Sequence, residues 1–164
     1  MFKNVVEAIQ WLEIQIKFKP KTDLDRMREA TKMLGVDLSH IKKVHVAGTN
    51  GKGSVCAMMS TILMEAGYRV GTFTSPYLVS FNERMRYQME PIQDDELLEL
   101  TNMIYDFNES FAKTYGEKLS FFELLTLMSM LYFKHKEVDV MIMEVGLGGL
   151  LDASNVLYYD LSLI

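Results

Sequence analysis

The stretch from Val44 to Ser54 constrains this chain most. Val44-His-Val-Ala47 reads as a short strand and runs straight into Gly48-Thr49-Asn50-Gly51-Lys52-Gly53-Ser54. A helical pattern follows from Ser54 to Glu65 and stops at Gly67. Glycines 48, 51 and 53 let the backbone approach a ligand closely and turn successive N–H groups toward anionic oxygen. The following helix aims the positive end of its dipole at the same spot. Lys52 adds a mobile cation, and Thr49 and Ser54 add hydroxyl donors. This is the chemistry of a phosphate-binding loop. The literal G-x-x-x-x-G-K-[ST] pattern fails, because Val46 stands at its first glycine and Gly53 follows the lysine. Taken alone, the stretch also reads as a plain glycine-rich turn between a strand and a helix.

The remaining pattern predicts an α/β fold. Val5, Ile9, Leu12 and Ile16 fall on one helical face over residues 4–16. A second helix is predicted from Leu24 to Leu34, with Asp23 as its cap and Gly35 as its stop. Arg69 to Phe73 is the next strand, and Glu83 to Gln88 an extended stretch. Asp94 to Tyr115 is an amphipathic helix with acids in its first turn, as the helix dipole favours. Phe121 to Lys134 is an apolar helix, and Val138 to Glu144 a strand apolar enough for the middle of a sheet. Strands alternating with helices imply a mostly parallel sheet covered by helices on both faces.

Charge narrows the classes of partner. Lys plus Arg total 17 against 22 Asp plus Glu, for a net charge of −5. Such a chain lacks the basic face that nucleic-acid or anionic-membrane binding requires. A single cysteine, Cys56, forms no internal disulfide, and no apolar run approaches the ~20 residues of a spanning helix. A cytoplasmic protein is expected. The last residues, Tyr159 to Ile164, form a strand-like run with no turn or polar tail, so the chain reads as cut within a sheet.

Three further segments carry polar groups at strand ends. Thr74-Ser75-Pro76-Tyr77 follows a strand, where ligands gather in a parallel sheet, although by itself it is an ordinary turn. Glu144 ends an apolar strand; a carboxylate there is either solvated or paired with a cation or metal. In Gly146-Leu-Gly-Gly149, Leu151 occupies the third glycine position of a dinucleotide fingerprint, which argues against a nicotinamide cofactor. His45 reads as a packed strand residue, His40 and His135 as surface residues, and Cys56 as buried.

Together these motifs resemble the Mur-ligase superfamily, specifically its folylpolyglutamate synthase and dihydrofolate synthase branch. V-A-G-T-N-G-K-G-S resembles the branch's ATP loop, Thr74-Ser-Pro-Tyr-Leu78 with Phe81-Asn-Glu-Arg84 its T-S-P-H-L…N-E-R segment, and Glu144-Val-Gly-Leu-Gly-Gly149 its E-V-G-L-G-G. The resemblance implies ATP binding by Gly48, Thr49, Asn50, Gly51, Lys52, Gly53 and Ser54, and magnesium held by Ser75 and Glu144. Lys52 and Glu144 are then the catalytic residues. Leu151-Asp-Ala-Ser-Asn-Val156 is similar to L-D-A-T-N-V beside the family's pterin and acceptor region. Ser120-Phe-Phe-Glu123 is similar to T-x-F-E, and Asp23-Leu-Asp-Arg-Met27 to the segment after its substrate loop. Thr22, Asp23, Phe121, Phe122, Leu151 and Asp152 become substrate candidates, with a capped helix start and apolar core as the competing readings of the first four. Leu150 and Tyr77 depart from the family's arginine and histidine, and the former puts that arginine's electrostatic contact in doubt.

The implied fold is the family's central-domain type, with residues 1–164 an incomplete N-terminal ATP-binding domain lacking the C-terminal glutamate-ligase domain. The implied activity is ATP-dependent, ADP-producing amide ligation of L-glutamate to a reduced folate or dihydropteroate carboxylate through an acyl phosphate. ATP, Mg2+ and small-molecule substrates are the implied ligands, with the chain a monomer free of nucleic-acid and membrane partners. The alternatives are a UDP-MurNAc-peptide amino-acid ligase and a nucleotide-binding fragment without turnover.

Overall fold

A computed structural model describes residues 1–17 and 23–164. Along the chain lie α1 (Val5–Glu13), α2 (Asp25–Leu34), β1 (Lys42–Val46), α3 (Lys52–Glu65), β2 (Val70–Phe73), β3 (Met85–Tyr87), β4 (Glu90–Pro91), α4 (Asp94–Tyr115), α5 (Phe121–His135), β5 (Val140–Glu144) and β6 (Leu161–Leu163). The sheet order is β4-β3-β2-β5-β1-β6. β2, β5, β1 and β6 are parallel, whereas β3 and β4 add an antiparallel edge. The sheet is mostly parallel, as expected, with an antiparallel edge.

Side-chain alternation assigns the two faces. Val140 and Ile142 join Val44, Val46, Val70 and Cys56 in a core against α3. Met141 and Met143 turn to the larger core shared with Phe73, Phe133, Leu124 and Ile104. Burial on both faces explains why β5 is almost wholly apolar. By the same two-residue period, Glu144 falls on the α3 face, at the carboxyl end of the sheet.

Several boundaries differ from the sequence expectation. α1 stops at Glu13, and Ile16 lies outside it at 61% exposure; its carbonyl instead accepts the Phe121 N–H at 3.0 Å. That bond draws the chain away from the helix axis toward the start of α5. α2 begins at Asp25 with Leu24 at the cap position, and Asp23 Oδ1 accepts the Asp25 N–H at 3.0 Å. Of the extended stretch expected over Glu83 to Gln88, Met85–Tyr87 is β3, whereas Glu83 and Arg84 belong to a 3-10 turn, Phe81–Arg84, that Ser80 and Glu83 close with a capping box. The expected helix Asp94–Tyr115 matches α4, which Gly116 ends in the left-handed region at φ 92°.

Candidate active site

β1 delivers the chain into the glycine-rich loop, and the Ala47 N–H bonds the Leu163 carbonyl at 2.8 Å, tying the loop to β6. Gly51 caps α3 with φ 77°, and Gly48 has φ 130°, so both need the freedom glycine provides. The turn then enters the first turn of α3, whose N–H groups have no intrahelical acceptor. Lys52, Gly53 and Ser54 lie in that turn.

Adjacent parallel strands bring the other polar groups here. β2 pairs with β5 so that Phe73 lies opposite Met143, which sets Ser75 and Glu144 just beyond the paired ends. Glu144, only 4% exposed, accepts the Ser75 N–H on Oε2 at 3.0 Å. Its Oε1 lies 3.9 Å from Lys52 Nζ. A Cβ placed on Gly53 would come within 3.9 Å of Glu144 Oε2, so the first turn of α3 passes close to the carboxylate. Burial pushes the Glu144 carboxyl upward, opposed by the Ser75 N–H and the Lys52 charge. The residues expected to hold phosphate and metal thus converge from three separate elements.

The segment after β2 is held firmly. The Thr74 N–H bonds the Arg84 carbonyl at 3.0 Å, and Glu83 accepts the N–H groups of Leu78, Val79 and Ser80. Asn82 Nδ2 donates to the Ile92 carbonyl and to Asp94. The Asn-Glu pair of the motif therefore builds the loop that presents Ser75.

Beside Ser75 opens a cavity of about 480 Å3 lined by Phe121, Phe122, Leu151 and Asp152, four of the expected substrate residues. Gly146 makes the wall possible, since a Cβ there would lie 2.6 Å from the Phe122 ring. Asp23 is not among the cavity-lining residues, and Thr22 lies outside the described residues. Asp152 lines the cavity, but its carboxylate is engaged within its own loop: Oδ2 accepts the N–H groups of Gly146 and Leu147, and Oδ1 accepts the backbone N–H and the hydroxyl O–H of Ser154. It shapes the cavity by fixing the loop. Leu150 is 80% exposed, so its substitution for a cation strands no buried charge.

His45 behaves as the packed strand residue expected. Its Nε2 is 2.8 Å from Ser154 Oγ, and its ring stacks on Tyr159 at 4.2 Å. This contact joins β1, which leads into the glycine-rich loop, to the loop shaped by Asp152. The sequence reading gave Arg84 and Lys17 no role, yet both line the cavity. The available signal for Arg84 was a lone cation between Phe81 and Met85 in a segment directly after a strand-end loop. Among the described residues, no group of three or more His, Cys, Asp or Glu could hold a metal ion. A hydroxyl and one carboxylate still suit magnesium, which takes few protein oxygens and leaves the rest to phosphate and water. Among the described residues, no helix is long and apolar enough to cross a membrane.

Comparison with known proteins gives consistent neighbours. The chain is 43% identical over 158 residues to the dihydrofolate synthase/folylpolyglutamate synthase of Bacillus subtilis, covering 95% of this chain and 36% of that protein. The FPGS–AMPPCP–folate complex superposes with a TM-score of 0.91 at 31% identity, covering 97% of this chain and 39% of that one. A bifunctional folylpolyglutamate synthase/dihydrofolate synthase with Mn, AMPPNP and L-glutamate bound gives 0.84 at 32% identity, covering 98% and 37%. No family model matches the chain. The chain therefore spans little more than a third of the length of the relatives it matches.

Proposed function

We propose that this relative of the dihydrofolate synthase/folylpolyglutamate synthases forms the ATP-binding part of a ligase that joins L-glutamate to a folate or dihydropteroate carboxylate. The carrying observation is the buried Glu144 carboxylate, set between the Ser75 N–H and Lys52 Nζ at the mouth of the glycine-rich loop. Residues 1–164 serve as the N-terminal domain in this reading, and a C-terminal glutamate-ligase domain completes the enzyme. The shares of the relatives that the chain spans support that division. The chain by itself then binds nucleotide without turnover.

The loop amides, the N-terminus of α3 and Lys52 hold the ATP phosphates and stabilise charge on the transferring phosphoryl group. Ser75 and Glu144 would hold a magnesium ion, which supplies charge neutralisation and alignment of phosphate with carboxylate when bound. An acceptor carboxylate oxygen forms a bond to the γ-phosphorus while the bond to ADP breaks. The glutamate amine then attacks the acyl carbon, phosphate leaves, and the ammonium proton passes to water. Phe121 and Phe122 give a flat heterocycle an aromatic wall. No side-chain nucleophile is required. A monomer in the cytoplasm, acting on small molecules alone, completes the reading; the net charge of −5 and the lone buried cysteine suit it.

An ADP-release assay on the complete enzyme, run over a panel of acceptors, tests this function. Release is expected only with L-glutamate and either a reduced folate or dihydropteroate. Strict dependence on a UDP-linked muropeptide would overturn the folate assignment.

A further inference from the structure

Arg84 lies at the end of the 3-10 turn that supports the Ser75 loop and is only 7% exposed. Its Cζ sits 4.9 Å from the centre of the Tyr77 ring and 5.3 Å from those of Phe81 and Phe121. Its Nε is buried with no hydrogen-bond partner. Among the described residues, no carboxylate forms an ion pair with its guanidinium, and no side-chain hydrogen bond satisfies it. A buried charge in this state is unusual, because lost hydration is normally recovered through a paired and hydrogen-bonded counter-charge. Three aromatic faces recover part of that loss. Desolvation pushes the guanidinium downward from its ordinary value, opposed only in part by the Tyr77 and Glu13 charges.

The cavity indicates where the remaining compensation comes from. Arg84 lines the same space as Phe122, Leu147 and Leu151, whose walls are apolar. The one carboxylate on those walls, Asp152, has both oxygens engaged by donors of its own loop. We propose that Arg84 is a specificity-determining residue that binds a carboxylate of the acceptor substrate. The planar fork of a guanidinium matches the two oxygens of a carboxylate, and the low polarity of the aromatic surround strengthens that pairing. This assignment rests on the acceptor reading above and extends it to a group with no other evident use. Two kinds of carboxylate fit the chemistry: the benzoate carboxylate of a pteroate, or a glutamate carboxylate of a pteroylglutamate, in which the benzoate group has become an amide.

The test compares dissociation constants of folate, pteroate and the neutral pteroate amide for the wild-type chain, Arg84→Met and Arg84→Lys, with AMPPCP binding followed in parallel. A charge-assisted pair should favour an acid over its neutral counterpart by about ten- to a hundredfold in the wild type. Arg84→Met should abolish that preference while its melting temperature stays level or rises, because an uncompensated buried charge has been removed. Arg84→Lys should retain part of the preference. Loss confined to folate assigns a glutamate carboxylate, and loss confined to pteroate assigns its benzoate carboxylate. Equal weakening of acid and amide, an undiminished preference in Arg84→Met, or unfolding of both variants would overturn the proposal. AMPPCP binding without binding of either acid by the wild type would instead remove the acceptor reading itself, and Arg84's role with it. Undiminished folate binding by Arg84→Met would leave that reading standing.

Discussion

The Glu144 carboxylate accepts the backbone N–H of Ser75 at 3.0 Å, although 69 residues separate them in sequence. Strand pairing produces this contact: β2 and β5 run in parallel register, and both residues lie just past the paired ends. The bond aims one carboxylate oxygen at the loop and leaves the other 3.9 Å from Lys52.

Glu144→Gln tests the charge apart from the geometry, since an amide oxygen can still accept from Ser75. We expect the magnesium dependence of AMPPCP binding to weaken by about tenfold or more. Calorimetric titrations with and without magnesium measure it. An unchanged magnesium effect would contradict a metal-holding role for Glu144.

Gly146→Ala tests the aromatic wall. The added Cβ would meet the Phe122 ring at 2.6 Å, so the ring or loop must shift. The expected loss is about 1–3 kcal/mol of stability, measured by urea denaturation. A variant as stable as the parent would show that the wall is not close-packed there.

His45 gives a pH prediction. Burial lowers its pKa, and the Asp152 charge only partly opposes that shift. The unfolded state therefore binds a proton first as pH falls. The associated stability is present above about pH 6.5 and is lost as pH falls toward the folded value. Urea denaturation at pH 7.5 and pH 5.5 should show a smaller acid loss in His45→Gln than in the parent. Equal losses would remove His45 from the acid response.

Cys56 should be inert in the folded chain. Burial, with Glu144 nearby, pushes its thiol up to about 12. A thiol reagent at pH 8 should label the native protein slowly and the urea-unfolded protein at once. Immediate native labelling would contradict its place in the core beneath α3.

Much of this arrangement is legible from local pattern. The bounds of α4 follow from its acidic first turn and Gly116, and the glycine-rich turn from its glycines between strand and helix. The expected site residues Lys52, Ser75 and Glu144 meet, but only sheet order brings them together, and spacing along the chain carries no sheet order. Asp152 illustrates another limit. Its oxygens bind donors two to six residues away, so a local folding role and a ligand contact have the same sequence pattern. Ile16 kept helical spacing yet left α1, because a distant amide, that of Phe121, bonds its carbonyl. Arg84 was visible in its motif, but that no carboxylate among the described residues pairs directly with it could be recognised only once its neighbours were known.

In the proposed function, the loop from Gly48 to Ser54 holds nucleotide phosphates through Lys52. Titration of AMPPCP into the chain and its Lys52→Ala variant, both with magnesium, tests it most directly. The account predicts measurable binding to the parent and at least about tenfold weaker binding to the variant, as loss of a charge-assisted contact implies, with circular dichroism unchanged. Equal affinity in two folded proteins would contradict it.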